Sequence, residues 1–375
     1  MTIPEFEDLL DRYLKGQCSE TEVAMLRYWY YNYEMQDLPE LTEEQINQVI
    51  ALQPPALPAV KVRRFPLAWL AAASLLLLIG TAAFFLLYQQ KQAPPAQALS
   101  KPIVPGGNKA VLTLASGETI VLDSVQKGAL ARQGNVRIVK TANGLVQYQF
   151  AANEATAGDH AINRIATPAG GQYQLVLSDG TRVWLNASSA IHFPASFQAG
   201  IREVELTGEA YFEVAANAAS PFVVNAGGQR TEVLGTHFNI NDYKDNGNII
   251  ITLLEGKIRV GKDQQQVTLA PGQQALVQDN HPITVNENAN IEMAVAWKNG
   301  LFKFNDTPLE DVMLQLSRWY DVDVSYEGQM ADRRFSGEIT RNAGITEVLA
   351  MLQLLKVKFT IKDNGGRKTI IVMPD

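Results

Sequence analysis

From Phe65 to Leu87 the chain carries no charge. Counted from Pro66 the run is about 22 residues. As a helix rising about 1.5 Å per residue it spans about 33 Å, the thickness of a bilayer's hydrocarbon core. No other stretch is as long and as apolar. The pattern predicts one transmembrane helix over residues 66–87, dividing the chain into a short arm and a long one. Lys61, Arg63 and Arg64 crowd its N-terminal side, whereas the far side has Lys91 and then nothing basic until Lys101. The positive-inside rule therefore sets residues 1–64 in the cytoplasm and residues 88–375 across the membrane. Trp69 and Tyr88 stand near the two ends, where interfacial aromatics anchor. Ala96-Gln97-Ala98 resembles a cleavage site, but about 60 residues precede the run and Ala98 lies well past its end, so an uncleaved anchor fits better than a signal peptide. The run also lacks the polar face expected of a helix at the edge of a core.

The rest of the 375 residues leaves room for two or three domains. The single cysteine, Cys18, falls in the short arm, so the long arm has no disulfide framework and no cysteine-based metal site exists anywhere. A net charge of −7 gives no reason to expect a nucleic-acid surface. Residues 1–60 hold eleven acidic residues against three basic ones, a net of −8. An arm so acidic suits a basic partner and is repelled by DNA.

Three helix starts are visible in the short arm. Thr2-Ile3-Pro4-Glu5 reads as a capping box with proline in the first turn, followed by Phe6, Leu9, Leu10, Tyr13 and Leu14 at helical spacing. Ser19 to Glu22 opens a second helix carrying Val23, Leu26, Trp29, Tyr30 and Tyr33, and Thr42 to Gln45 a third. Three short helices in about 50 residues bury little surface alone, which leaves two compatible readings: a self-contained bundle, or apolar faces that wait for a partner.

Residues 88–108 read as a linker rich in proline and glycine. Beyond it the apolar period changes to two. Val111 to Leu114, Ser116-Gly117 and Ile120 to Leu122 form one hairpin; Leu175 to Leu177, Asp179-Gly180 and Val183 to Leu185 repeat it about 63 residues later. Short strands separated by turn signals continue to about residue 285, the pattern of a sandwich or an open β-roll. From Trp297 strands alternate with two amphipathic helices in the order βαβ, βαβ and a last strand, a small α+β domain. The expected fold class is thus multidomain. It comprises a small all-α cytoplasmic domain at 1–60, a transmembrane helix at 66–87, a linker at 88–108, an all-β sandwich or β-roll at 109–290 and an α+β domain at 297–373.

Nothing in the chain reads as catalytic. The four histidines, His160, His192, His237 and His281, stand singly and offer no metal-ligand spacing. There is no nucleophile elbow and no phosphate-cradling loop. Asp179 reads as a turn residue and Glu209 as an acid at a strand edge, rather than as a carboxylate pair for glycoside chemistry. No cofactor or metal is expected.

The middle of the chain resembles the FecR-like family of membrane-anchored sigma-factor regulators. The residues that carry the resemblance are Thr167-Pro168-Ala169-Gly170, Leu177 to Thr181, Val183 to Ala187, Glu205 to Phe212, Pro221 to Val224, Val233 to Asn239 and Leu269 to Gln273. The tail, from Trp297-Lys298-Asn299-Gly300 through Trp319-Tyr320 to Phe335-Ser336-Gly337, resembles the C-terminal domain of Bacteroidetes members, which is similar to the short N-terminal fold of secretins and TonB-dependent receptors. Leu10 to Gly16 with Ser19-Glu20 resembles the cytoplasmic start of the same members.

The resemblance implies a relay. The outer arm would sense an outer-membrane TonB-dependent receptor through that receptor's periplasmic signalling domain. The inner arm would hold an extracytoplasmic-function sigma factor, with Leu9, Leu10, Tyr13, Leu26, Trp29 and Tyr30 as the contact face. Residues 297–373 would be the receiver, with Trp319 and Tyr320 as the aromatics to test; core packing is the competing role for Trp319. Membrane lipid and proteases of the periplasm and membrane complete the expected partners, and coupling by regulated proteolysis or by altered association in the membrane both remain open. A competing reading from another class is a membrane-tethered scaffold or carbohydrate-binding module without a sigma partner.

Overall fold

The computed structural model describes residues 102–150, 161–198, 200–328 and 332–374, together with Arg12, Lys15 and Ser19. Lys101–Asp375 form one compact unit. Its strands arise where apolar residues alternate with polar ones. β1 (Gly107–Asn108), β2 (Val111–Thr113) and β3 (Thr119–Val121) come first, followed by β4 (Gly128–Gln133), β5 (Val136–Lys140) and β6 (Val146–Phe150). β7 (Ile162–Ala166), β8 (Gly171–Val176), β9 (Arg182–Leu185) and β10 (Ala190–Pro194) lead to the long β11 (Arg202–Glu213). β12 (Phe222–Ala226), β13 (Gln229–Val233), β14 (His237–Asp242), β15 (Ile249–Glu255), β16 (Ile258–Lys262), β17 (Gln265–Leu269), β18 (Gln274–Val277) and β19 (Thr284–Asn286) complete the β part.

Two sheets share β11. The first runs β3-β2-β7-β10-β11-β12-β13-β16-β17. The second runs β4-β5-β6-β8-β9-β11-β14-β15-β18-β19. Pairing is antiparallel except for β11 with β12 and β6 with β8, and β1 adds in parallel to β8. The first half of β11 pairs with β10 and β12, the second half with β9 and β14. Gly208 lies at the change of partners, with φ +84°, where a β-carbon would stand 2.5 Å from Ser189 Oγ. Only glycine accepts both the dihedral and the approach. The core lies between the sheets: Tyr148 of the second meets Phe193 of the first edge-on at 5.1 Å, and Phe212 stacks on Phe238 at 5.0 Å and leans on Phe222 at 6.2 Å.

The α+β part follows. A short helix α1 (Ile291–Val295), capped by Asn290, leads through Trp297 into β20 (Leu301–Pro308), α2 (Leu309–Tyr320), β21 (Asp323–Tyr326), β22 (Arg334–Thr340), α3 (Ile345–Leu352), β23 (Val357–Asp363) and β24 (Lys368–Pro374). β20 pairs with β22, and β24 lies between β21 and β23. α2 buries Leu309, Val312, Met313, Leu316 and Trp319, and α3 buries Ile345, Val348, Leu349 and Leu352, in a core of their own. Thr307 and Pro308 end β20, so the proline caps α2 from outside rather than standing in its first turn.

This overturns the expected fold class. Among the described residues the chain is mostly β, there is no helical domain, and no helix is long and apolar enough to cross a membrane. The longest helix, α2, has 12 residues, about 18 Å against the roughly 30 Å of a bilayer core. Glu310, Asp311, Gln315 and Arg318 interrupt its apolar surface with polar side chains. The two sheets are joined by one continuous strand, and the α+β part packs on the β part within one unit. The helices read over residues 1–60 and 66–87 lie outside the described residues. The supposed linker ends in a paired strand, because the Gly107 N–H donates to the Gly170 carbonyl at 2.9 Å.

Candidate functional site

Along the second half of β11, Ala210 and Phe212 face the core, and Glu209, Tyr211 and Glu213 point to the opposite face. That face is where the α+β part docks, so Glu209 and Tyr211 are buried as well. The pattern changes from alternating to continuously buried at Gly208 because a second layer begins there.

Glu209 is the centre of the junction. Its carboxylate accepts from Asn186 Nδ2 at 2.7 Å and from Asn239 Nδ2 at 3.0 Å. Burial pushes its pKa up, while the two amides and then Arg341 and Arg318 pull it down. Both arginines belong to the α+β part. Arg341 is 3% exposed. Its Nη2 donates to Asn186 Oδ1 at 2.9 Å, its Nη1 to the Trp297 carbonyl at 3.1 Å, and its guanidinium lies 3.7 Å from the centre of the Trp319 ring. Desolvation lowers its pKa to about 10, so it stays cationic at neutral pH. Trp297 Nε1 donates to Asn239 Oδ1 at 3.1 Å. Arg318 pairs with Asp245 at 2.5 Å and lies over the Tyr243 ring at 3.8 Å. Tyr243 donates its hydroxyl to the Ala187 carbonyl at 2.5 Å. Two carbonyl and glycine contacts close the far side: Gly170 N–H donates to the Arg318 carbonyl at 2.7 Å, and Gly106 sits where a β-carbon would lie 2.6 Å from the Trp319 ring.

Beside this network a cleft of about 460 Å³ opens between the second sheet and the α+β part. Its floor is a row of side chains in register across neighbouring strands: Asn239 opposite Thr252, Thr252 opposite Gln274, and Gln274 opposite Asn286. Gln274 Nε2 donates to Thr252 Oγ1 at 2.8 Å. One wall is Asp311, Gln315 and Arg318 of α2; the other is Asn288, Asn290 and Met293. A second hollow of about 650 Å³ lies around Lys140, whose ammonium is held by the Leu122 and Val125 carbonyls.

The structure buries both aromatics expected at a receptor contact. Trp319 is 2% exposed and donates to the Arg341 carbonyl at 2.7 Å; Tyr320 is 3% exposed and donates to the Ala343 carbonyl at 2.7 Å. Leu9, Leu10, Tyr13, Leu26, Trp29 and Tyr30, and the flanking Lys61, Arg63, Arg64, Trp69 and Tyr88, lie outside the described residues. Asp179 is a turn residue, accepting from Thr181 N–H at 2.9 Å, and it also binds the buried Arg202 at 2.7 Å. Glu209 is not at a strand edge: β9 and β14 flank its half of β11. Sequence reading passed over Arg341 and the amides around Glu209, since a lone arginine after a strand has no periodic signature. Among the described residues no group of three or more His, Cys, Asp and Glu could hold a metal ion.

Comparison with known proteins follows the same boundaries. Residues 163–259 match the family described as FecR protein, and residues 301–372 match the one described as FecR, C-terminal. Two crystal structures of a candidate anti-sigma factor from Parabacteroides distasonis ATCC 8503, at 1.65 and 2.50 Å resolution, are each 28% identical to the chain with a TM-score of 0.52. They cover 56% and 57% of this chain and 99% of their own. No curated protein matches significantly.

Proposed function

The chain belongs to the FecR-like family, and on that premise we propose that it regulates a sigma factor, acting as an anti-sigma factor. The observation that carries this is the pair of FecR matches in one compact unit whose structural relative is described as an anti-sigma factor of the same build. In this reading residues 101–375 are the sensing part and residues 1–60 hold the sigma factor, of the extracytoplasmic-function class. The net charge of −8 on those 60 residues suits a basic partner surface. The sensing part answers to the periplasmic signalling domain of a TonB-dependent receptor, and the chain is lodged in the inner membrane with its C-terminus in the periplasm. The uncharged run from Phe65 to Leu87, with basic residues before it, supports that location.

Affinity purification of the tagged full chain from its own cells tests the reading. A sigma factor should co-purify, and deletion of residues 1–60 should release it. Retention by the deleted chain would move the holding site, and absence of any sigma factor from both samples would overturn the function.

A further inference from the structure

We propose that residues 102–109 form a strap that the docked α+β part holds against β8, so that the strap is freed when α2 leaves its seat. The use of this release in signalling rests on the sigma-factor reading. The release itself does not, and it is measured without any partner.

In sequence the strap follows the uncharged run, with residues 88–101 between them. In the structure it touches both parts of the compact unit. On the β part, Gly107 and Asn108 pair in parallel with Gly171 and Gln172 of β8. The Lys109 N–H donates to the Gln172 carbonyl at 3.1 Å, beside the bond from Gly107 to Gly170. On the α+β part, the half-buried Ile103 packs against the apolar cluster of that part, while Val104 turns outward, 57% exposed. Gly106 passes so close to Trp319 that a β-carbon would lie 2.6–2.8 Å from three atoms of the ring. Gly170, just before β8, joins the two sets of contacts. Its N–H donates to the Arg318 carbonyl near the end of α2 at 2.7 Å, and a β-carbon on it would stand 3.9 Å from the Gly106 Cα. The strap, the approach to β8 and the last turn of α2 cross at one point.

The crossing has a fixed member and a weakly held one. Trp319 is fixed: it is buried, its indole N–H donates to the Arg341 carbonyl at 2.7 Å, and the Arg341 guanidinium lies 3.7 Å from its ring centre. The strap's own strand is two residues long. So short a ladder returns little against the conformational entropy lost in ordering the segment. The rest of its hold comes from Ile103 and Gly106 against the α+β part, and those contacts vanish when α2 moves away. A freed strap lengthens the stretch of chain between the compact unit and the uncharged run. The docking of the α+β part thereby sets that length, which gives an event at α2 a route along the chain toward the run.

The test is amide-resolved hydrogen exchange of the purified full chain. The Lys109 amide reports on the strap, and the Gly170 amide, bonded to the Arg318 carbonyl, reports on the docking of α2. In the unaltered chain both should lose protection over the same range of urea, because the strap opens only with the junction. Gly106→Ala drives a methyl group into the Trp319 ring, and it should speed exchange at Lys109 about tenfold while Gly170 keeps its rate. Gly107→Ala is the control: nothing lies within 4 Å of the added carbon, so Lys109 should exchange as before. The urea comparison needs no variant and decides even where Gly106→Ala folds poorly. Three results would overturn the proposal: exchange at Lys109 in urea that leaves Gly170 protected, equal acceleration by the two substitutions, or acceleration by neither.

Discussion

Arg341 and Glu209 are ionisable residues held out of water, 3% and 8% exposed. Glu209 is an acid whose native pKa is raised, chiefly by burial. Such a group adds most to stability below its unfolded pKa, and that contribution is lost as pH rises through the native value. Arg341 offsets part of the cost through its charge, and shares Asn186 as a hydrogen-bond partner with the carboxylate. Replacing it by an uncharged side chain of similar length, Arg341→Met, removes a cation that favours the ionised form of Glu209 and should destabilise the chain by about 3 kcal/mol at pH values where Glu209 is ionised. The loss should shrink as pH falls and Glu209 takes up a proton. The double variant Arg341→Met with Glu209→Gln should recover most of it, because no buried charge then remains. Denaturant unfolding across a pH series measures both, and additive single and double effects would show that the two side chains do not communicate.

At the scale of elements, β11 does what no single sheet strand does: it serves two sheets, changing partners at Gly208. The φ of +84° and the 2.5 Å approach of a would-be β-carbon to Ser189 Oγ act together. Gly208→Ala should therefore cost about 2–4 kcal/mol, more than an ordinary strand glycine, whose replacement often stabilises. Gly180→Ala, in the Asp179-Gly180 turn, is the control. Its φ is also positive, but nothing lies within 4 Å of the added carbon, so only the dihedral strain of about 1–2 kcal/mol should remain. Equal losses at the two sites in urea unfolding would refute the role given to the crowding at the bend. α2 shows the same economy at its end, where Asp321 takes φ +52° to close the helix and turns the chain into β21.

For the molecule as a whole, the junction decides whether the β part and the α+β part are two domains or one. Each has its own apolar cluster, yet Ala187 of the β part belongs to the cluster of the α+β part. The docking surface holds a buried carboxylate, two arginines and several amides, and several of their hydrogen bonds cross from one part to the other. Separating them would break the bonds that cross the junction: Trp297 to Asn239, Arg341 to Asn186, Arg318 to Asp245 and Gly170 to the Arg318 carbonyl. Calorimetry should accordingly show residues 101–375 melting in a single transition, with the Arg341→Met variant splitting or broadening it. Two resolved transitions in the unaltered chain would mean that the parts are independent.

The local architecture was legible in the sequence because strand alternation and helical spacing are short-range properties. The hairpins at Ser116-Gly117 and Asp179-Gly180, and the faces of α2 and α3, follow from side chains within a few residues of one another. The family was legible for a related reason: Thr167 to Gly170 and Glu205 to Phe212 are contiguous blocks. β4, β5, β6 and α1 escaped because each is only five or six residues long, too short for a periodic run to stand out. What only the tertiary structure decided is everything that joins residues far apart in the chain. No local pattern brings Arg341 to Asn186, turns Glu209 from a strand-edge acid into a buried one, or aligns Asn239, Thr252, Gln274 and Asn286 on one row. Those relations depend on strand order and on the packing of one layer over another, and burial of a polar side chain becomes visible only when the layer that covers it is in place.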